Sequence, residues 1–394
     1  MVDIWPSIPL IVYYGEHLGR SVDNIVAALE CADRVCHIDL GVMGVSDFDI
    51  FLAAMQQPFP ELTDLRFFSY DETAAVDPDS FLGGSAPRLE FLNFSRIRFP
   101  GLPKLLLSAT HLIALRLSNI PHSGYISPDR MATALSALTS LEYLSLGFES
   151  PQSYPDQASR RPPPKTRPVL PVLVHLEFKG VSEYLDELVA CIDAPQLNTL
   201  YITFFNDIVF DTPQLVQFIS RTPMSKALGK AYITLQIRAA TVDFSSQTSR
   251  RGLFKVEILC RGLDWQVSSL EQACTSCLPP LSMLEDLYFE DSYSQPDWKC
   301  SIENRQWLEL LRPFITVKNL YLSENPASHI APALQELIEG VEGRTTDVLP
   351  ALQNIFLKGL DSSGSDRVQE SIGQLVAAQQ VANHPIGISP WTDL

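Results

Sequence analysis

Apolar positions along the chain fall into one short recurring unit: apolar, two variable, apolar, one variable, apolar. It reads Val35/Ile38/Leu40, Leu62/Leu65/Phe67, Leu89/Leu92/Phe94, Leu112/Leu115/Leu117, Leu141/Leu144/Leu146, Leu173/Leu176/Phe178 and Leu197/Leu200/Ile202, then Leu284/Leu287/Phe289, Val317/Leu320/Leu322 and Leu352/Ile355/Leu357. Two weaker copies, Tyr232/Leu235/Ile237 and Leu253/Val256/Ile258, lie in the gap. The last two apolar residues of each unit are two apart, so in an extended strand both face one side and the residue between them faces the other. Between units the spacing turns helical, as in Ile25/Val26/Leu29, Phe48/Leu52/Met55, Met131/Leu135/Leu138, Leu185/Leu188/Val189/Ile192, Leu215/Phe218/Ile219, Trp307/Leu310/Leu311 and Leu334/Leu337/Ile338/Val341. Thr212 before Pro213, and Ser182 with Glu183, are helix starts.

Strand and helix alternating in units too small to bury their own apolar faces must stack on one another. The last apolar residues recur at intervals of 21 to 35 residues, the long and irregular end of leucine-rich-repeat spacing. The pattern therefore predicts an α/β fold: a leucine-rich-repeat solenoid, or horseshoe, of about twelve irregular repeats with a concave parallel sheet and convex helices. Three residues beyond each unit, where the commonest consensus places Asn or Cys, only Asn325 conforms. A regular ladder of buried amides in the turns is not expected, and the solenoid should be uneven. Residues 1–30 are predicted to be an N-terminal cap, 31–360 the solenoid and 361–394 a C-terminal cap with a helix around Val368/Ile372/Leu375/Val376. Residues 150–171 are too rich in proline for a helix or central strand and read as an exposed insertion.

Charge narrows the partners. Forty-six acidic side chains against 29 Lys and Arg leave a net charge of -17, which repels phosphate backbones and anionic headgroups, so neither nucleic acid nor a membrane surface is an expected partner. No apolar run reaches the roughly 18 residues of a membrane span, and Met1 to Gly19 lacks the layout of a secretory signal. The seven cysteines, Cys31, Cys36, Cys191, Cys260, Cys274, Cys277 and Cys300, show no disulfide-framework spacing. A reducing compartment, cytoplasmic or nuclear, follows as the expectation.

Chemistry-bearing motifs are sparse. Leu270, Cys274 and Cys277 share one helical face, but a structural zinc site needs four ligands and no second pair follows, so these are read as small buried side chains. Histidines 17, 37, 111, 122, 175, 329 and 384 are scattered, with none three or four residues from another. Gly83-Gly84 precedes no phosphate-cradling motif and reads as a turn. No catalytic residues, metal ligands or cofactor are assigned. A protein partner is expected on the concave face, where the outward residues run Asp39, Arg66, Asn93, Arg116, Ser145, Glu177, Tyr201, Gln236, Glu257, Tyr288, Tyr321 and Phe356. Of these, Arg66, Arg116, Glu177, Tyr201, Tyr288 and Tyr321 are the candidate contacts, since Tyr and Arg bring large area or forked donors at modest entropy cost. Arg160, Arg161 and Lys165, around Pro162-Pro163-Pro164, form a second, weaker candidate.

The segments FLGGSAPRLEFLNF (81–94), LLLSATHLIALRLSNIPHSGYISPDRM (105–131), LTSLEYLSLGFESPQSYPD (138–156), RRPPPKTRPVLPVL (160–173) and FKGVSEYLDELVACIDAPQLNTLYITFFNDIVFDTPQLVQFISRTP (178–223) resemble fungal F-box/leucine-rich-repeat-like proteins. The resemblance implies a repeat region that holds the substrate of a ubiquitin ligase, beside an F-box that engages a Skp-type adaptor. An F-box needs a Leu-Pro-x-Glu-like opening, whereas this chain starts MVDIWPSIPL and reaches its first repeat strand at Val35. The expectation is a non-catalytic scaffold without adaptor binding, or a fragment missing the F-box. Two alternatives remain: a hydrolase-type enzyme with a dispersed site, and the repeat sensor domain of a larger receptor.

Overall fold

The computed structural model describes residues 8–15, 21–42, 45–69, 80–99, 101–151, 167–205, 211–247, 252–260, 262–276, 281, 283–290, 302–339, 348–358, 370, 373–374 and 386–391. The chain is α/β, its strands mostly parallel. It forms two compact units, Met1–Asn198 and Thr199–Leu394.

In the first unit, strands β1 (Leu10–Tyr14), β2 (Val35–Val42), β3 (Asp64–Ser69), β4 (Phe91–Ser95), β5 (Ala114–Ile120), β6 (Tyr143–Phe148) and β7 (His175–Gly180) lie side by side in chain order. Every neighbouring pair is parallel. Helices α1 (Val22–Leu29), α2 (Val45–Ala54), α3 (Leu102–Leu106), α4 (Pro128–Leu135) and α5 (Ser182–Cys191) return the chain between or after them. The apolar pairs of the repeat face inward: Ile38 with Leu40, Leu65 with Phe67, Leu92 with Phe94, Leu115 with Leu117, Leu144 with Leu146 and Leu176 with Phe178 are all buried. Burying each such side chain contributes about 2 kcal/mol. Phe67 and Phe94 stack at 5.6 Å, and Tyr184 closes a second aromatic cluster with Phe148 and Phe178 while its hydroxyl donates to the Ile126 carbonyl at 3.0 Å. Residues taken from sequence as an N-terminal cap hold β1 and α1, a strand and helix paired onto the stack like the units that follow.

The second unit departs from this regularity. Its strands are β8 (Thr199–Phe205), β9 (Lys230–Leu235), β10 (Ala239–Ser245), β11 (Gly252–Leu259), β12 (Asp286–Glu290), β13 (Asn319–Leu322), β14 (Asn354–Leu357) and β15 (Gly387–Pro390), ordered β8-β11-β10-β9-β12-β13-β14-β15. Helices α6 (Pro213–Arg221), α7 (Leu263–Ser276), α8 (Asn304–Leu311) and α9 (Glu324–Glu339) complete it. Strands β9, β10 and β11 form an antiparallel meander, while β11 pairs β8 and β9 pairs β12 in parallel.

This corrects the expectation of an all-parallel sheet. A parallel return needs roughly a dozen or more residues, and the links at 236–238 and 246–251 are too short for one. It also corrects the register of one weak copy. Ala231, Ile233 and Leu235 point inward, Ile237 is 53% exposed in the turn, and Gln236 lies beyond β9. Buried Gln266 on α7 ties the meander down by donating to the carbonyls of Gln236 at 2.6 Å and Cys260 at 3.1 Å.

The helix starts fall where the sequence places them: Thr212 is the N-cap of α6 with Pro213 in its first turn, and Ser182 is the first residue of α5. Gly83 and Gly84 sit in a tight turn with φ of 64° and 77°. A Cβ on Gly83 would meet Pro58 Cγ at 2.8 Å, so both conformation and space demand glycine there. Asn325 lies in the first turn of α9. The predicted helix around Val368, Ile372, Leu375 and Val376 lies outside the described residues. Among the described residues no helix is long and apolar enough to cross a membrane.

Candidate functional site

Because parallel strands in register stand about 4.8 Å apart, equivalent outward residues form lanes across each unit. The first unit's central lane runs Asp39, Arg66, Asn93, Arg116, Ser145 and Glu177, in the predicted register. Three of its four charged residues, Arg66, Arg116 and Glu177, have partners within the unit. Arg66 grips Asp64 two residues back on β3 through Nε at 3.0 Å and its terminal nitrogen at 2.8 Å, and His37 Nδ1 stands 3.3 Å from the same carboxylate. The hydrogen bond to Asp64 holds the Arg66 guanidinium above its ordinary range, and burial with the nearby Asp64 charge raises Asp39.

Across β5 to β7, Arg116 lies 4.4 Å over the Tyr143 ring, Tyr143 stacks on His175 at 4.5 Å and 9°, and the Tyr143 hydroxyl donates to Glu177 Oε2 at 2.7 Å. Burial first, then the Glu177 hydrogen bond, pushes Tyr143 up to about 12. Burial lowers His175, with Arg116 acting the same way and Glu177 opposing. Arg66 and Arg116, both candidate contacts, therefore lie on one lane, each engaged by a local partner.

The second unit carries a different lane. Tyr232, Tyr288, Tyr321 and Phe356 are cross-strand neighbours on β9, β12, β13 and β14. Their rings stack at 4.5, 4.1 and 4.5 Å with interplanar angles of 13°, 10° and 9°. Each stacked pair adds about 0.5–1.5 kcal/mol beyond area burial. Ring faces are consumed in the stack, so the half-buried ladder presents edges and hydroxyls outward. Trp391 stands across those edges, 5.8 Å from both Tyr288 and Tyr321 at 58° and 67°, with Lys358 Nζ 5.3 Å from its own ring.

Burial chiefly, followed by the neighbouring Tyr321 and Asp286, drives the Tyr288 hydroxyl far up. Burial and then Asp286 raise Tyr321. Both hydroxyls stay protonated across the working pH range. One lane over, a polar ladder runs parallel: Asn354 Nδ2 donates to Asn319 Oδ1 at 2.8 Å and Asn319 Nδ2 to Asp286 Oδ1 at 2.7 Å.

Of the six candidate contacts, Tyr288 and Tyr321 are brought together. Tyr201 is not, since β11, β10 and β9 separate β8 from β12 and its cross-strand neighbour is Lys255. Glu177 is held by Tyr143. Sequence reading missed Tyr232 and Trp391. Tyr232 reads as the first apolar position of a weak repeat, although the alternation Lys230/Tyr232/Thr234 against Ala231/Ile233/Leu235 carries its outward phase. Trp391 follows a strand too short to signal itself.

Arg160, Arg161 and Lys165 lie outside the described residues, as does Cys277. Cys274 is buried on α7. Among the described residues no cluster of three His, Cys, Asp or Glu side chains could hold a metal. Three of the described histidines go separate ways: His37 to Asp64, His175 to Tyr143 and His329 to Trp307.

No protein-family model matches the chain, and no curated protein does. Among solved structures, the leucine-rich repeat-containing protein LegL7 from Legionella pneumophila is 13% identical over 93% of this chain and 97% of that one, with a TM-score of 0.30. TLR13, solved as a complex with ssRNA13, is 12% identical over 91% of this chain and 49% of that one, with a TM-score of 0.29. Likeness at this level assigns no family.

Proposed function

We propose that the chain is a non-catalytic protein-interaction scaffold of the leucine-rich-repeat class, built of irregular repeats whose outward strand face is the working surface. One observation carries the reading: four half-exposed aromatic rings in a continuous stack on the outward face of β9, β12, β13 and β14. Burying a large aromatic edge supplies binding energy at low entropy cost, because each ring is already held by its neighbours. The resemblance to the repeat region of fungal F-box/leucine-rich-repeat-like proteins narrows the role to holding a protein for ubiquitin transfer in the cytoplasm or nucleus. That narrower role rests on the sequence alone.

The test is proximity labelling by the full chain, followed by affinity measurement for the strongest labelled protein. Tyr288→Ala and Tyr321→Ala should each weaken that affinity by about 2 kcal/mol or more, while Arg66→Ala leaves it within a few-fold. Unchanged affinity in both tyrosine variants would move the working surface elsewhere. Direct one-to-one binding of a Skp-type adaptor to these residues would overturn the expectation that the adaptor is not engaged.

A further inference from the structure

The last strand is built unlike every strand beside it. Leu287, Leu320, Ile355 and Ile388 share one inward lane across β12, β13, β14 and β15. The first three are fully buried, whereas Ile388 is 41% exposed, and all four residues of β15 are exposed. Among the described residues this fully buried inward lane therefore ends at β14. Among the described residues, β15 is held by backbone pairing and its two flanks.

Gly387 N–H donates to the Gln353 carbonyl and Trp391 N–H to the Leu357 carbonyl, each at 2.8 Å. Ile386 is buried before the strand, and Trp391 lies on the edges of Tyr288 and Tyr321 after it. Amides of residues 388 and 390 alternate away from β14, where Pro390 has no donor to lose and blunts the outer edge. Position 387 has to be small on the β14 side, since a Cβ there would come 3.0 Å from Asn354 Oδ1. A short extended segment paired along a sheet edge, with an apolar anchor at one end and an aromatic at the other, is the geometry of peptide binding by strand addition.

We propose that the β14 edge and the Tyr288–Tyr321 ring edges form a peptide-binding site that the chain's own residues 386–391 fill in cis. A partner occupies it with a segment of the same chemistry: a branched apolar residue, a small residue, a short strand, then an aromatic side chain. The edge of a tyrosine stack is its positive rim, and the π face of an indole is its electrostatic complement, so the aromatic is Trp in preference to an aliphatic residue. The cis segment acts at an effective concentration of the order of millimolar and must be displaced, which makes occupancy by a partner conditional. This rests on the reading of the second unit's outward face as the working surface and adds the class of ligand and the competitor.

A fluorescent peptide of residues 386–394, IGISPWTDL, serves as the probe, titrated into the full chain and into the full-length double variant Gly387→Pro/Trp391→Ala, which removes one pairing donor and the ring. The released variant should bind the peptide about tenfold or more tighter than the unaltered chain. A peptide with Trp391→Ala should lose about tenfold in affinity for it. Equal binding by both chains, or indifference to the tryptophan, overturns the proposal.

Should the variant fold poorly, hydrogen exchange on the unaltered chain decides. The amides of Ser389 and Trp391 should exchange about a hundredfold faster than that of Leu322, and equal protection shows a permanent strand. If the peptide fails while Tyr288→Ala still weakens a labelled partner, the cis site falls and the scaffold reading stands. If both fail, the scaffold reading falls with it.

Discussion

The two units apply the same strand stacking to opposite ends. In the first, the outward positions mix acids, bases and aromatics that engage one another along and diagonally across the strands: Arg66 grips Asp64 two residues back, the Tyr143 hydroxyl donates to Glu177, and Arg116 lies over the Tyr143 ring. In the second, one lane is aromatic from β9 to β14, and its members stack without exhausting their edges. Charged side chains that find partners on the adjacent lane are engaged individually, whereas an in-register lane of rings leaves a continuous rim to be covered. Here Trp391 covers part of it.

What separates the second unit most is its meander, so the largest effect should come from there. Phe254 stacks on Phe244 at 5.5 Å and both are fully buried. Phe254→Ala should cost about 3–5 kcal/mol. Four of the five tryptophans, Trp265, Trp298, Trp307 and Trp391, lie beyond residue 198, so urea unfolding followed by tryptophan fluorescence reads the loss in the second unit. An unshifted midpoint would show that the meander does not support it.

Next comes the ladder itself. Tyr288→Ala removes stacking on two sides and should lower stability by about 1–2 kcal/mol, with little change between low and high salt. Arg66→Ala, its counterpart in the first unit, should cost about 1 kcal/mol or less because Arg66 is partly exposed. That loss should shrink in 1 M salt, where the screening length falls to about 3 Å. Parallel denaturation of the two variants at both salt levels tests the contrast. A salt-sensitive Tyr288 effect or a salt-insensitive Arg66 effect breaks it.

The smallest effect concerns Asp243, on the outward face of β10 beside Tyr232. Burial pushes its carboxyl up to about 6, Lys255 opposes this, and its Oδ1 is buried without a hydrogen-bond partner. An acid raised in the folded state destabilises that state when it ionises, so stability should fall as pH rises from about 4 towards 6. Asp243→Asn should remove that dependence, gaining under about 1 kcal/mol at pH 8 and nothing near pH 4. Thermal unfolding across this range checks it, and a variant equally altered at both ends would assign the effect to packing instead.

Much of the architecture is a local property and was legible. Two apolar residues two apart must share a strand face, and the inward pairs from Ile38/Leu40 to Ile355/Leu357 are buried accordingly, Leu235/Ile237 at the meander turn excepted. The helical spacings at Leu215/Phe218/Ile219 and Trp307/Leu310/Leu311 likewise mark buried faces of α6 and α8. The outward phase of Tyr288 and Tyr321 followed from the same alternation.

Strand neighbours are not local, and there the reading stopped. Chain order suggested that Tyr201 joins the later tyrosines, but connections too short for a parallel crossover folded β9, β10 and β11 into a meander that moves β8 away and brings Tyr232 in. Which residues form elements was settled by periodicity along the sequence. Which rings meet, how Arg116 and Glu177 are engaged and where Trp391 lands were decided only by tertiary pairing, because the energy of these contacts depends on residues tens of positions apart that register alone brings within a few ångströms.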